Sequence, residues 1–257
     1  MSYLLVFAVA FVASGLTFFS GFGLGTLVLP AFALFFPIER AVALTAVVHF
    51  LNGLFKVGLV ARYTNFGIVA RFGLPAVLAA LVGAWLLVRL SEIQPLLEYS
   101  LFGRSVQLTP VKLAVGLLLL VFAVAELVPQ LRELSFGPQY LPLGGLLSGF
   151  FGGLSGMQGA LRSAFLVRAG LSKEVFVATG AVISTLIDIS RLGVYSRAFA
   201  AEAAQIDYWL LGGAVVSAFA GAALGNRFLK TMSMQGVRWT VSGLLLLVAA
   251  SLAIGVL

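Results

Sequence analysis

Residues 145–160 read GLLSGFFGGLSGMQGA, and residues 14–25 read SGLTFFSGFGLG. Each stretch lies inside an apolar run of more than thirty residues, roughly 137–170 and 3–36. A run of that length exceeds the ~20 residues of one spanning helix. Glycine this dense also breaks it, since each interior Gly costs a helix about 1 kcal/mol relative to Ala. Irregular backbone at membrane depth is tolerated only where protein buries it or where it lines a watery cavity. The alternative role for these glycines is close helix packing, for which small residues are favoured between membrane helices. Two clusters at matching places in the chain favour a binding site.

The surrounding chain makes membrane depth the right frame. Hydrophobic residues form 61% of the 257 positions and charged residues 10%, with a mean hydropathy of +1.11. A soluble domain carries about 25% charged residues, so this surface must face lipid. Six further apolar segments follow the same logic, roughly 38–60, 66–90, 106–129, 171–196, 205–229 and 235–257. The opening MSYLLVFAVAFVASGLTFF lacks a basic flank and a cleavage site, and reads as a retained span.

A shift of 134 residues pairs Ser14-Gly15 with Ser148-Gly149, Gly25 with Gly159, Thr45 with Thr179, Val48 with Val182 and Val60 with Val194. A slightly larger shift pairs Gly83-Ala84 with Gly221-Ala222 and Arg89 with Arg227. The expected fold is therefore an all-α polytopic bundle of about eight hydrophobic segments. They fall in two tandem repeats of four, 1–134 and 135–257, each opening on a Gly-broken or re-entrant segment. Paired broken segments of this kind point to a transporter binding site at the repeat interface. If all eight segments cross, basic residues are asymmetric enough to put both termini outside by the positive-inside rule. If the broken segments re-enter, the repeats are inverted and that bias is diluted. The sequence leaves both open.

Ionisable groups inside spans are costly and so are default functional candidates. His49, Asn52 and Lys56 stand at i, i+3 and i+7 on one helical face, and Ser184, Thr185, Asp188 and Arg191 nearly do the same. The repeat shift maps the window 49–57 onto 183–191. Arg162 follows the second glycine break by three residues, with Gln158, Ser155 and Ser163 nearby. A helix restarting there offers unpaired N–H groups to an anion, and Arg adds a fork of donors matched to oxyanions. The candidate binding set is Gly23, Gly25, His49, Asn52, Lys56, Ser155, Gln158, Arg162, Asp188 and Arg191. Simpler roles compete: Asp188 and Arg191 as a self-neutralising i,i+3 pair, Lys56 as a snorkelling interface lysine, His49 as a hydrogen-bonded interior residue, and Arg162 as a partner of Glu174.

Several chemistries are excluded. With no cysteine there are no disulfides or thiolate sites, and one histidine leaves no multi-His metal centre. The net charge of +7 is dispersed between apolar runs, which argues against nucleic acid. No metalloprotease, nucleophile-elbow or phosphate-loop motif is present, so neither an enzyme nor ATP-driven pumping is expected, and no cofactor. The expected partners are a small anion and membrane lipid, and a homodimer is compatible. The alternatives are a carrier for another small anion, a carboxylate or (weakly) a metal ion, or a membrane enzyme acting on a lipid phosphate.

The stretch Ser14-Gly15, Gly21-Phe22-Gly23-Leu24-Gly25, Pro30 and Ala41-Val42-Ala43-Leu44-Thr45 resembles the sulfite exporter TauE/SafE family. So do Gly145 to Gly156 and Ala178-Thr179-Gly180 in the second half. The resemblance runs over almost the whole length. It implies an inner-membrane, multi-pass permease exporting sulfite or small organosulfonates such as isethionate or sulfoacetate, without an ATPase partner. Many members carry a glycine run followed by proline where this chain has Gln158-Gly159-Ala160-Leu161-Arg162. The role of Arg162 therefore rests on its chemistry.

Overall fold

The computed structural model describes residues 2–20, 24–101, 103–199, 207–228 and 234–257. Ten principal helices carry the described chain: α1 Ser2–Ser20, α2 Leu24–Ala33, α3 Ile38–Val60, α4 Phe66–Ser91, α5 Pro110–Leu127, α6 Leu141–Ser155, α7 Gly159–Leu166, α8 Lys173–Ala198, α9 Tyr208–Phe228 and α10 Met234–Ala253. Among the described residues, the helices at 38–63, 66–91, 110–127 and 173–198 are long and apolar enough to cross a membrane.

Local chemistry sets the ends. Thr109 caps α5, accepting from Lys112 N, with Pro110 at the first helical position. Ser172 caps α8, and Asn65 caps α4. A two-stranded antiparallel ribbon, β1 Leu97–Leu101 and β2 Arg104–Leu108, joins α4 to α5. The bundle is thus not purely helical, and the apolar segment expected from 106 begins in β2 before its helix starts at 110. Tyr99 OH donates to the Ile254 carbonyl and Lys112 Nζ to the carbonyls of Gln107 and Gly255, which ties the ribbon to the C-terminal residues.

The second glycine-rich segment folds as a hairpin. Gly156, at φ 82°, ends α6 in the left-handed conformation, its N–H donating to Gly152 O. Residues 156–158 turn, and α7 runs back along α6. A Cβ on Gly144 would lie 2.3 Å from the Phe165 ring, Phe136 N donates to Ala164 O, and the Phe136 and Phe165 rings stack at 4.4 Å. The two ends of the segment therefore meet. In the first half α1 and α2 also pack together, and the break between them, with Gly23, lies outside the described residues.

Helix pairing is specific. α6 packs along α4 through Gly145, Gly149 and Gly153; a Cβ on each would meet the carbonyl oxygens of Phe72, Ala76 and Ala80 at 2.2, 2.1 and 2.2 Å. This is small-residue backbone-to-backbone packing. α1 packs along α9, where a Cβ on Gly221 would lie 2.0 Å from Phe11 O. α5 pairs with α10 through Gly116 beside Ala249 and Leu252. α3 and α8 cross antiparallel: His49 meets Asp188, Gly53 meets Thr185, and Asn65 N donates to Thr179 Oγ1.

Candidate functional site

The α3–α8 crossing lies beside the tip of the α6–α7 hairpin. Asp188 is fully buried and both its oxygens are occupied. Oδ1 accepts from Arg191 Nε at 2.9 Å and from Gln158 Nε2 at 3.1 Å, with Arg191 Nη2 at 2.8 Å; Oδ2 lies 2.6 Å from His49 Nδ1. A buried carboxylate needs that many partners, because an unpaired charge there is strongly destabilising. With Asp188 ionised, His49 Nδ1–H is the donor, which leaves Nε2 for another partner.

Arg191 anchors the break. Its side chain is fully buried, and besides gripping Asp188 it donates from Nη1 to Gly152 O at 3.4 Å. Tyr195 OH donates to Gly153 O. These two carbonyls belong to the last turn of α6; Gly152 O already accepts from the Gly156 N–H, and Gly153 O is among the final acceptors that helix geometry leaves without intrahelical donors. A cation and a hydroxyl placed there satisfy them and oppose the negative end of the helix dipole. A Cβ on Gly156 would lie 2.8 Å from Arg191 Nη1, so the space at the turn, as well as its positive φ, requires glycine.

Arg162 is placed differently. Half-buried on the first turn of α7, its Nη1 donates to the neutral Gln158 Oε1 at 3.2 Å. Gln158 thus relays between Arg162 and Asp188, and its own carbonyl accepts from Arg162 N and from Ser148 Oγ. Arg162 Nε lies 3.5 Å from where a Cβ on Gly180 would sit, so the bare backbone of α8 flanks the guanidinium. Its charge acts on both His49 and the half-buried Lys56. The Glu174 pairing weighed from the sequence is not made.

The structure therefore brings His49, Gln158, Arg162, Asp188 and Arg191 together, with Lys56 at their margin. Gly25 faces the same turn, since a Cβ there would lie 2.8 Å from Gly156 O. Asn52 is buried on the same face of α3 but accepts from Ser14 Oγ of α1 at 3.0 Å. Ser155 turns back on its own helix, donating to Phe151 O. Tyr195 and Ser148 complete the network; the sequence marked Ser148 only as a repeat and motif position, and Tyr195 not at all. Tyr195 sits at i+4 from Arg191 and i+7 from Asp188, a spacing that places it on their face.

A family model described as sulfite exporter TauE/SafE matches residues 6–252, nearly the whole chain. No curated protein matches the sequence.

Proposed function

The chain belongs to the sulfite exporter TauE/SafE family, an integral-membrane permease family, and on that premise we propose that it is a secondary carrier exporting sulfite or a small organosulfonate across the inner membrane. The observation that carries the site is Arg162. Its guanidinium has a neutral amide as hydrogen-bond partner, while the neighbouring Asp188 is already held by Arg191, Gln158 and His49. An oxyanion seated against Arg162 accepts from its remaining donors. The first N–H groups of α7, which no side chain caps, and His49 Nε2 when protonated add to that set. Among the described residues a cation meets no free carboxylate there, which disfavours the metal-ion alternative.

The helix pairing supports two inverted repeats, 1–134 and 135–257. Advancing each helix by five, α1–α9 becomes α6–α4, whereas α3–α8 and α5–α10 exchange their own partners. Two hairpins entering from opposite faces would then meet at midplane, where Gly25 approaches Gly156. On this path Arg62, Arg71, Arg132, Arg168 and Lys173 share one face. Arg40, Arg89, Arg104, Lys112 and Arg197 share the other. Arg227 and Arg238 fall at helix ends on the first face, which makes it the more basic and hence cytoplasmic one. Lys56 and Arg162 lie on the cytoplasmic side of His49. A negative interior drives anion exit by about 2.3 kcal/mol per charge per 100 mV, so export needs no coupled ion.

Sulfite-loaded proteoliposomes test this. Efflux should require the protein, proceed without ATP and accelerate when an inside-negative potassium diffusion potential is imposed. Absence of flux with any sulfur oxyanion, or turnover of a substrate in micelles, would overturn it.

A further inference from the structure

The lipid-facing side of α4 and α8 holds a feature that the anion site does not use. The two helices touch where Gly73 meets Ile183 and Leu186, and towards their C-terminal ends they part around a trough of 590 Å³. Leu81 and Ile189 are among its apolar lining. Gly193 gives it depth, for a Cβ there would meet nothing within 4 Å. At one end stand Trp85, Arg89 and Arg197, the arginines in the last turns of their helices. Trp85 is 52% exposed, with the Arg89 guanidinium 5.7 Å from its ring centre, and Arg89 also donates to Glu92 at 3.0 Å. Arg197 is exposed and has no hydrogen-bond or ion-pair partner among the described residues.

We propose that this trough is a binding site for an anionic phospholipid, its phosphate on Arg197 and Arg89 and one acyl chain lying over Leu81, Gly193 and Ile189. Trp and Arg together mark the headgroup level of a membrane, and two guanidinium forks on facing helices suit a phosphate. Two arginines against one glutamate select a net negative headgroup. A second copy of the chain fits less well, because a two-fold contact through the trough would bring Arg197 close to its own copy.

Delipidated protein in neutral detergent, titrated with phosphatidylglycerol, phosphatidylcholine or glycerol phosphate and read by native mass spectrometry, tests the site. Phosphatidylglycerol should bind about fivefold more tightly than phosphatidylcholine, the effect of roughly one interfacial cation. Arg197→Gln should remove that preference, Gly193→Leu should weaken both lipids by filling the trough, and glycerol phosphate should not bind. Both positions face lipid, and unchanged melting of the lipid-free variants verifies folding. Equal binding of the two lipids, undiminished phosphatidylglycerol binding by Arg197→Gln, tight glycerol phosphate binding, or a wild-type dimer that either variant dissociates would each refute the assignment.

Discussion

Arg191 commits its guanidinium to Asp188 Oδ1 and the Gly152 carbonyl, whereas Arg162 donates to one neutral amide. Replacing Arg191 with Met strands a buried carboxylate, and breaking such a pair costs about 3–5 kcal/mol. The variant should melt far lower than the parent protein, and adding Asp188→Leu to it should recover most of the loss. A melting temperature unchanged by Arg191→Met would remove the anchoring role. Replacing Arg162 with Ala leaves no buried charge stranded. Losing charge-assisted hydrogen bonds worth about 1.5–3 kcal/mol should weaken sulfite binding about tenfold or more, read by calorimetry, with little change in melting. The residue types and their shared faces were legible from spacing alone. Both arginines entered one candidate set, because both lie near glycines and the difference between them is in which oxygens each one reaches. Tyr195 was hidden for a similar reason: near a helix end, a tyrosine reads as an interfacial aromatic.

The glycines of α6 divide by face. Gly145, Gly149 and Gly153 lie against α4 carbonyls, while Gly152 and Gly156 face Gln158, Ile187 and Arg191. Packing and site construction, alternatives when only the sequence is read, thus coexist on one helix. Gly149→Leu would place its first side-chain carbon 2.1 Å from Ala76 O, so α4 and α6 must separate. Overpacking of this kind costs about 1–3 kcal/mol, and Gly149→Leu should melt lower than Gly193→Leu, which enters open space. Equal melting of the two would contradict the packing role. The second break was legible as a glycine cluster. Whether each segment crosses or returns was not, because thirty-odd apolar residues suit either path, and the contact of Phe136 with Ala164 and Phe165 that closes the second one into a hairpin joins residues far apart in the chain. The ribbon at 97–108 was missed because its five-residue strands carry too little alternation to stand out beside an apolar helix.

Across the whole molecule, the hairpin path and a full eight-crossing path differ in one observable. On the hairpin path, residues 135 and 174 lie on the same face and residue 105 on the other. The chain has no native cysteine, so Ser135→Cys, Glu174→Cys and Ser105→Cys can each be labelled in intact cells with a membrane-impermeant maleimide. Ser105→Cys should be labelled and the other two protected; labelling of only one of Ser135→Cys and Glu174→Cys would restore the eight-crossing path. Binding of a sulfur oxyanion at the hairpin tip through Arg162 is tested by melting the purified protein with sulfite, isethionate, sulfoacetate, sulfate, carboxylates and divalent metals. A ligand at a hundred times its dissociation constant adds about 2.7 kcal/mol of stability. Sulfite or a sulfonate should raise the melting temperature of the parent protein and leave that of Arg162→Ala unmoved, whereas an equal rise in both, or stabilisation by a metal alone, would contradict it.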